Sequence, residues 1–271
     1  FRSVLWSTFI YSPLAHWVWG GGWLAQMGAL DFAGGAVVHI SSGFGALICA
    51  ILIGKRTGLG MEAMPPHNLP MAVLGTGLLW FGWFGFNAGS ALGANEVAVS
   101  AFVATHIAAC AGGFSWMIAE WIYQGKPTIL GVCSGIISGL ATITPCGGFL
   151  DPLSALFVGI LAGVLCYTAV MWKTRLGYDD SLDVVGIHGV GGMTGILATG
   201  LFASIGAQGL FFGNAGQFGI QVVLAISTLA FVVVGTFIIL KIVDMTIGLR
   251  VSSDDENVGL DFSQHNERAY Y

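Results

Sequence analysis

Apolar runs of about 20 residues, broken by short polar loops, dominate this chain from end to end, and a run of that length is what a helix needs to cross a hydrocarbon core. Eight such stretches are legible: 3–23, 31–53, 69–90, 97–123, 128–145, 152–172, 184–204 and 218–245. Only 8% of residues are charged and 55% are hydrophobic, against roughly 25% and 45–50% in a soluble domain, so an ordinary globular fold is excluded. The expected fold is all-α, a polytopic membrane helix bundle.

The nine lysines and arginines test that division. Arg2 precedes the first run, Lys55 and Arg56 follow the second, Lys126 the fourth, and Lys173 and Arg175 the sixth. Lys241, Arg250 and Arg268 lie at or beyond the end of the eighth. The alternate loops, 24–30, 91–96, 146–151 and 205–217, contain none. Because cytoplasmic loops collect positive charge, the N-terminal end, the charged loops and the tail are expected in the cytoplasm. A wrong count of spans would scramble this alternation. The predicted division is a membrane domain over 1–250 and a cytoplasmic tail over 251–271.

The chain starts at Phe1 without a signal-peptide pattern, and its first run is mixed with aromatics and Pro13; it reads as the C-terminal portion of something longer. Glycine supplies 42 residues where an average share of roughly 7% would give about 19. Many recur at helical spacing, as in Gly85/Gly89/Gly93, Gly131/Gly135/Gly139, Gly159/Gly163 and Gly191/Gly195, which predicts close helix approach. The five cysteines show no metal-binding spacing and imply no disulfide framework. No metal or other cofactor is expected.

Ionisable groups inside a span cost about 2.5–3.5 kcal/mol on insertion scales, so each asks for a reason. Two segments resemble each other: DFAGGAVVH, with Asp31 and His39, and DVVGIHGVGG, with Asp183 and His188. The first enters from outside and the second from inside. At 1.5 Å per residue, His39 lies about 12 Å below the outer end and His188 about 7.5 Å above the inner end. Both imidazoles thus approach the middle of the bilayer from opposite faces, as in an inverted-topology repeat with its substrate site near the midplane. Asp31 and Asp183 stand where an N-cap carboxylate belongs. His106, without glycines or a partner, is expected in the core.

Two aromatic strings mark the outer surface. FGWFGFNAGS places Trp83, Phe86 and Ser90 on one helix face, and HWVWGGGWL carries Trp17, Trp19 and Trp23 around three glycines. Interfacial belts are rich in such residues. An indole face also attracts a small cation by about 0.5–2 kcal/mol, and with a serine hydroxyl it suits ammonium, which offers N–H donors. Paired intramembrane histidines are in principle also haem ligands, although nothing else in the chain suggests redox chemistry.

Together HWVWGGGWL, GALDFAGGAVVHISSG, PPHNLPM, FGWFGFNAGSALGANE, DVVGIHGVGG and the closing GLRV…GLDFSQHNERAY resemble the ammonium transporter (Amt/Rh) family on its Amt side, over essentially the whole chain. The resemblance implies an eleven-span inverted-repeat fold, of which this chain matches the last eight spans, and a trimer with one pore per subunit. It places Trp19 and Ser90 at an outer ammonium recruitment site, Phe86 at a pore gate beside Trp83, and His39 and His188 as twin histidines in an apolar pore. Asp31 supports the recruitment site without ligating the ion. An outer gating phenylalanine and most of the first repeat would belong to sequence preceding this chain. The resemblance further implies transport rather than catalysis, a multi-pass plasma-membrane location, an ordered tail and a PII-type signalling partner at the cytoplasmic face, with no nucleic-acid role. An ammonium sensor built on the same fold is the alternative.

Overall fold

The computed structural model describes residues 2–268; Phe1 and the end of the expected tail, 269–271, lie outside the described residues. The first apolar run forms one helical path in three pieces, α1 (Arg2–Trp6), a π-helical turn (Ser7–Tyr11) and α2 (Ser12–Trp19), and stops at Gly20. A single turn, α3 (Trp23–Gln26), leads to a second π-helical turn (Gly35–Ile40) that runs into α4 (Ser41–Ile53). Then come α5 (Leu69–Gly89), α6 (Glu96–Gln124), α7 (Ile129–Ile143) and α8 (Pro152–Leu176). A third π-helical turn (Val185–Val190) opens α9 (Gly191–Phe202), followed by a 3-10 turn (Leu210–Phe212) and the long α10 (Ala215–Thr246). The tail folds as α11 (Ser253–Val258) and α12 (Leu260–His265).

Among the described residues six helices are long and apolar enough to cross a membrane: Gly35–Ile53, Leu69–Gly89, Glu96–Gln124, Pro152–Leu176, Val185–Phe202 and Ala215–Thr246. The other two expected runs, 3–23 and 128–145, are also helical but shorter or broken. α7 has 15 residues, about 22 Å; it ends just before Pro145, which has no N–H to continue the helical ladder. Most of its C-terminal half is buried inside the bundle, from Ser138 to Ile143.

Helix starts are written locally. Asn68, Asn95 and Thr128 each accept a bond from the backbone N–H three residues on, at 3.0, 3.0 and 2.9 Å. Asp151 takes both Leu153 N–H and Ser154 N–H, at 2.9 and 3.1 Å. These caps satisfy donors that the first helical turn leaves free. α6 and α8 end on Gly125 and Gly177 in the left-handed region, at φ 79° and 78°, the usual helix stop.

Glycine lets α6, α7 and α8 touch backbone to backbone. A side chain at Gly112 would meet the Gly135 carbonyl and the Gly139 backbone, and one at Gly159 would meet Ala108. The expected Gly85/Gly89/Gly93 seam does not form among the described residues: none of them lies within 4 Å of the space a side chain would take at Gly85 or Gly89. There α5 turns its glycines outward, with Trp83 and Asn87 buried instead.

The positively charged loops gather at one end. Arg56 binds Asp179 through two nitrogens, with Nη2–Oδ1 at 2.7 Å. The Arg56 guanidinium, through its hydrogen bonds, holds the Asp179 carboxyl below its usual value of 3.8. Arg250 reaches both Ile53 O, at 3.2 Å, and Glu256, which also accepts from Thr57 N–H at 3.0 Å. The loop after α4, the loop after α8 and the tail are therefore bonded together. By the charge rule this is the expected inner end.

His106 departs from expectation. It is exposed on α6, stacked on Trp80 with ring centroids 5.3 Å apart and tilted against Phe84 at 6.0 Å. An aromatic sandwich on the helix surface gives the imidazole a partner without burial.

Candidate functional site

Asp31 begins the construction. Its carboxylate accepts four backbone N–H bonds: Gly34 and Gly35 on one oxygen at 3.0 and 2.5 Å, Ala36 and Val37 on the other at 2.8 and 3.2 Å. These are donors that the start of a helix cannot satisfy by itself. The carboxylate is thus fully used within the protein. Its own backbone carbonyl accepts the Trp19 indole N–H at 2.8 Å. The loop beyond is fixed to the end of α7, Phe32 N–H donating to Pro145 O at 3.0 Å and Ala33 N–H to Thr144 O at 3.2 Å.

His39 and His188 both lie on π-helical turns, Gly35–Ile40 and Val185–Val190. One extra residue in a helical turn widens it and re-aims the side chains, and such turns are frequent at functional sites. The imidazoles meet Nδ1 to Nδ1 at 3.1 Å, with centroids 5.1 Å apart and planes 26° from parallel. Glycine permits this approach. A side chain at Gly43 would strike the Gly189 backbone, and one at Gly192 would lie 2.8 Å from both Gly35 O and the His39 Cβ.

Asp183 is not the side-chain cap of the second turn. It sits in the left-handed region at φ 58° and turns its carboxylate to the Lys173 ammonium. Asp180 takes the capping role, accepting from Val185 N–H at 2.7 Å. Asp31 precedes His39 by eight positions and Asp180 precedes His188 by eight, and both carboxylates accept from the N–H five residues on. Equal spacing to the histidine was the available sequence signal. The run Asp179-Asp180-Ser-Leu-Asp183 obscured it by offering three carboxylates.

Aromatic rings close the other side. Trp83 stacks on His39 at 5.4 Å and 18°, and Phe86 stands edge-on to both, 5.7 Å from Trp83 and 6.3 Å from His39. The Trp83 indole N–H donates to Thr144 Oγ1 at 2.9 Å, and that hydroxyl donates to Leu140 O at 2.8 Å. Thr144, unremarked in the sequence, therefore orients the tryptophan. A cleft of about 530 Å³ is lined by His39, His188, Trp83, Phe86, Val38 and Ser42, with Leu78 and Leu79 of α5.

The predicted outer residues are only partly assembled. Trp19 and Phe86 remain 45% and 39% exposed. The Ser90 hydroxyl donates to Phe86 O at 3.0 Å, so it sits one turn above the phenylalanine and engages its own helix. Trp19 engages Asp31 instead.

Chemically, the cleft offers mainly apolar walls, the Ser42 hydroxyl, which donates to His39 O at 3.2 Å, and the histidine pair. Two imidazoles joined through Nδ1 need one donor and one acceptor there, so one ring keeps Nε2 as an acceptor and the other as a donor. His39 Nε2 is buried with no bonding partner among the described residues. Such a pair can both give a hydrogen bond to a small neutral amine and take one from it.

Comparison with known proteins agrees in family and fold. The family model described as Ammonium Transporter Family matches residues 1–270. Ammonium transporter Amt1 of Archaeoglobus fulgidus is 52% identical over 271 residues, covering 99% of this chain and 69% of that protein. The ammonium transporter of Bacillus subtilis is 51% identical, covering 99% and 67%. The crystal structure of Saccharomyces cerevisiae Mep2 superposes with a TM-score of 0.88 at 40% identity, covering 93% of this chain and 60% of that one. The chain thus spans about two thirds of the length of these relatives. A matching family model over nearly every residue, several apolar spanning helices and a shared fold lead to one conclusion: this is a multi-pass membrane protein, and the chain belongs to the ammonium transporter family.

Proposed function

We propose that the protein of which this chain forms part moves ammonium across the plasma membrane, drawing NH4+ to an outer aromatic site and conducting it, deprotonated, past twin histidines. The observation that carries the reading is the His39–His188 contact at 3.1 Å inside a largely apolar cleft with Trp83 and Phe86. A permanent charge in such a passage is expensive. Ammonia is not charged, and it needs only the donor and the acceptor that the paired imidazoles supply.

In this reading Trp19 and Ser90 gather NH4+ at the mouth, by the attraction of a π face for a cation and by a hydroxyl acceptor. Below that mouth NH4+ gives its proton to outer water, if only the neutral gas is conducted, or to the His39–His188 pair, if the charge crosses too. NH3 passes the Phe86 constriction and Trp83 to reach His39 and then His188. Asp31 and Asp183 support the site: Asp31 by building the turn under His39 and holding Trp19, and Asp183 by engaging Lys173 beside the turn under His188. The work is transport rather than catalysis. Residues 1–250 form the membrane domain and 251–271 a cytoplasmic tail, the protein assembles as a homotrimer, and the inner face is the docking side for a PII-type signalling protein. Relatives named as ammonium transporters favour transport over sensing.

The test is an ammonium-pulse current on proteoliposomes carrying the full-length protein, with Asp31→Asn and a His39→Ala/His188→Ala double variant. A saturable current lost in both variants supports electrogenic transport through this site. Ammonia flux without current supports conduction of the neutral gas. Neither current nor flux would sink the proposal.

A further inference from the structure

Gln221 is an amide in the second turn of the long apolar helix α10, completely buried, where an unpaired polar side chain is costly. It is not unpaired. Its Oε1 accepts Leu30 N–H at 2.8 Å and its Nε2 donates to Leu30 O at 2.7 Å, so one side chain holds both polar groups of a single backbone residue 191 positions away. Nε2 also lies 3.3 Å from Ile196 O on α9, the helix continuing from His188. Gln217, one turn earlier on the same face, donates to Gly28 O at 3.1 Å.

Leu30 immediately precedes Asp31, whose carbonyl holds the Trp19 indole. Leu30 is clamped to α10, and Phe32 and Ala33 are clamped to the end of α7. Asp31 is therefore suspended between two anchors. Trp19 has a single donor, its indole N–H, and nearly half of the residue is exposed, so the position of that one carbonyl sets where its ring points. The Asp31 carbonyl shares a peptide plane with Phe32 N–H, which Pro145 O holds from one side. Without the α10 anchor the other side of Asp31, through Leu30, is unheld, and the carbonyl and the indole shift with it.

We infer that Gln221 is a positioning residue for the outer cation site: by clamping the Leu30 backbone it fixes the Asp31 carbonyl and, through it, the Trp19 indole. This rests on Trp19 belonging to the recruitment site. It assigns Gln221 no contact with the substrate.

The experiment is saturation kinetics of ammonium transport by the full-length protein in proteoliposomes, normalised to folded protein, for Gln221→Leu, Trp19→Leu and the double variant. Gln221→Leu is expected to raise apparent KM about fivefold to tenfold with Vmax within about twofold, the signature of lost substrate binding rather than lost protein. The double variant is expected to match Trp19→Leu alone, because a residue acting through Trp19 has nothing left to position. If Gln221→Leu is not recovered folded, Gln221→Met, which keeps side-chain length without hydrogen bonds, makes the same comparison. A lower Vmax with unchanged KM would mean a merely structural residue and overturn the inference. So would KM increases that multiply in the double variant. If Trp19→Leu itself leaves KM unchanged, the recruitment reading falls, and the inference falls with it. That outcome is recognisable because it appears without any change at Gln221.

Discussion

His39 and His188, 149 residues apart, meet Nδ1 to Nδ1 at 3.1 Å on two π-helical turns, each led by a carboxylate eight positions earlier that accepts from the N–H five residues on. The two turns are built alike although only one of them opens on the string DFAGG. Backbone donors at the start of a helix demand acceptors, and an aspartate just before each turn answers that demand.

Replacing either histidine by alanine removes half of the donor–acceptor pair. A lost hydrogen bond of roughly 1–2 kcal/mol corresponds to a loss of about fivefold to thirtyfold in conduction. Since neither ring works without the other, the double variant is expected to be little worse than the singles. Stopped-flow ammonia flux into vesicles measures all three, and fully multiplicative losses would contradict a shared role.

Gly43→Ala places a methyl group against the Gly189 backbone. Overpacking of this kind costs about 1–3 kcal/mol, and here it also pries apart the turns that carry the histidines. A lower melting temperature together with reduced flux is expected. Gly85→Ala, where the space is open, should change neither, so thermal melts of the pair in detergent decide the matter.

Thr144→Val keeps the shape of the side chain but leaves the Trp83 indole N–H without its acceptor. Burying an unsatisfied donor costs about 1–3 kcal/mol. Thr144→Ser keeps the hydroxyl and should recover most of that loss. Comparing the two by thermal melts and by flux separates the hydrogen bond from the packing; equal behaviour of Val and Ser would refute the orienting role.

At the inner end Arg56 lowers the proton affinity of Asp179. A carboxyl whose folded value is depressed contributes stability that is present above its unfolded value, near 3.8, and is lost as pH falls through the lower folded value. Arg56→Gln should therefore destabilise the protein at neutral pH, and the gap to the unaltered protein should narrow as pH drops below about 4. Melting temperatures of both proteins from pH 3 to 7 test the sign.

Much of this was legible in the sequence because its causes are local. Apolar runs of bilayer length mark the helices. Asn68, Asn95, Thr128 and Asp151, not among the residues expected to act as caps, set where four of those helices begin by capping donors three residues away or nearer. Confinement of nine basic residues to alternate loops and the helix ends beside them sorts the loops into two sets, and three of the positive ones are found bonded together. What misled was also local. Asp183 looks like a cap by position, but a left-handed backbone turns it to Lys173, and glycines at helical spacing look like a seam on α5 where none packs among the described residues.

By itself the sequence determined the environment, the helices and the pairing of two histidine-bearing segments, because hydrophobic length, capping and charge asymmetry act over a few neighbouring residues. Only the tertiary structure decided which atoms meet. The Nδ1–Nδ1 contact, the Trp83–Thr144 bond and the Gln221 clamp on Leu30 span 149, 61 and 191 positions. Contacts so distant along the chain have no local period or spacing to announce them; they arise where helices cross on glycine and buried polar groups must find partners.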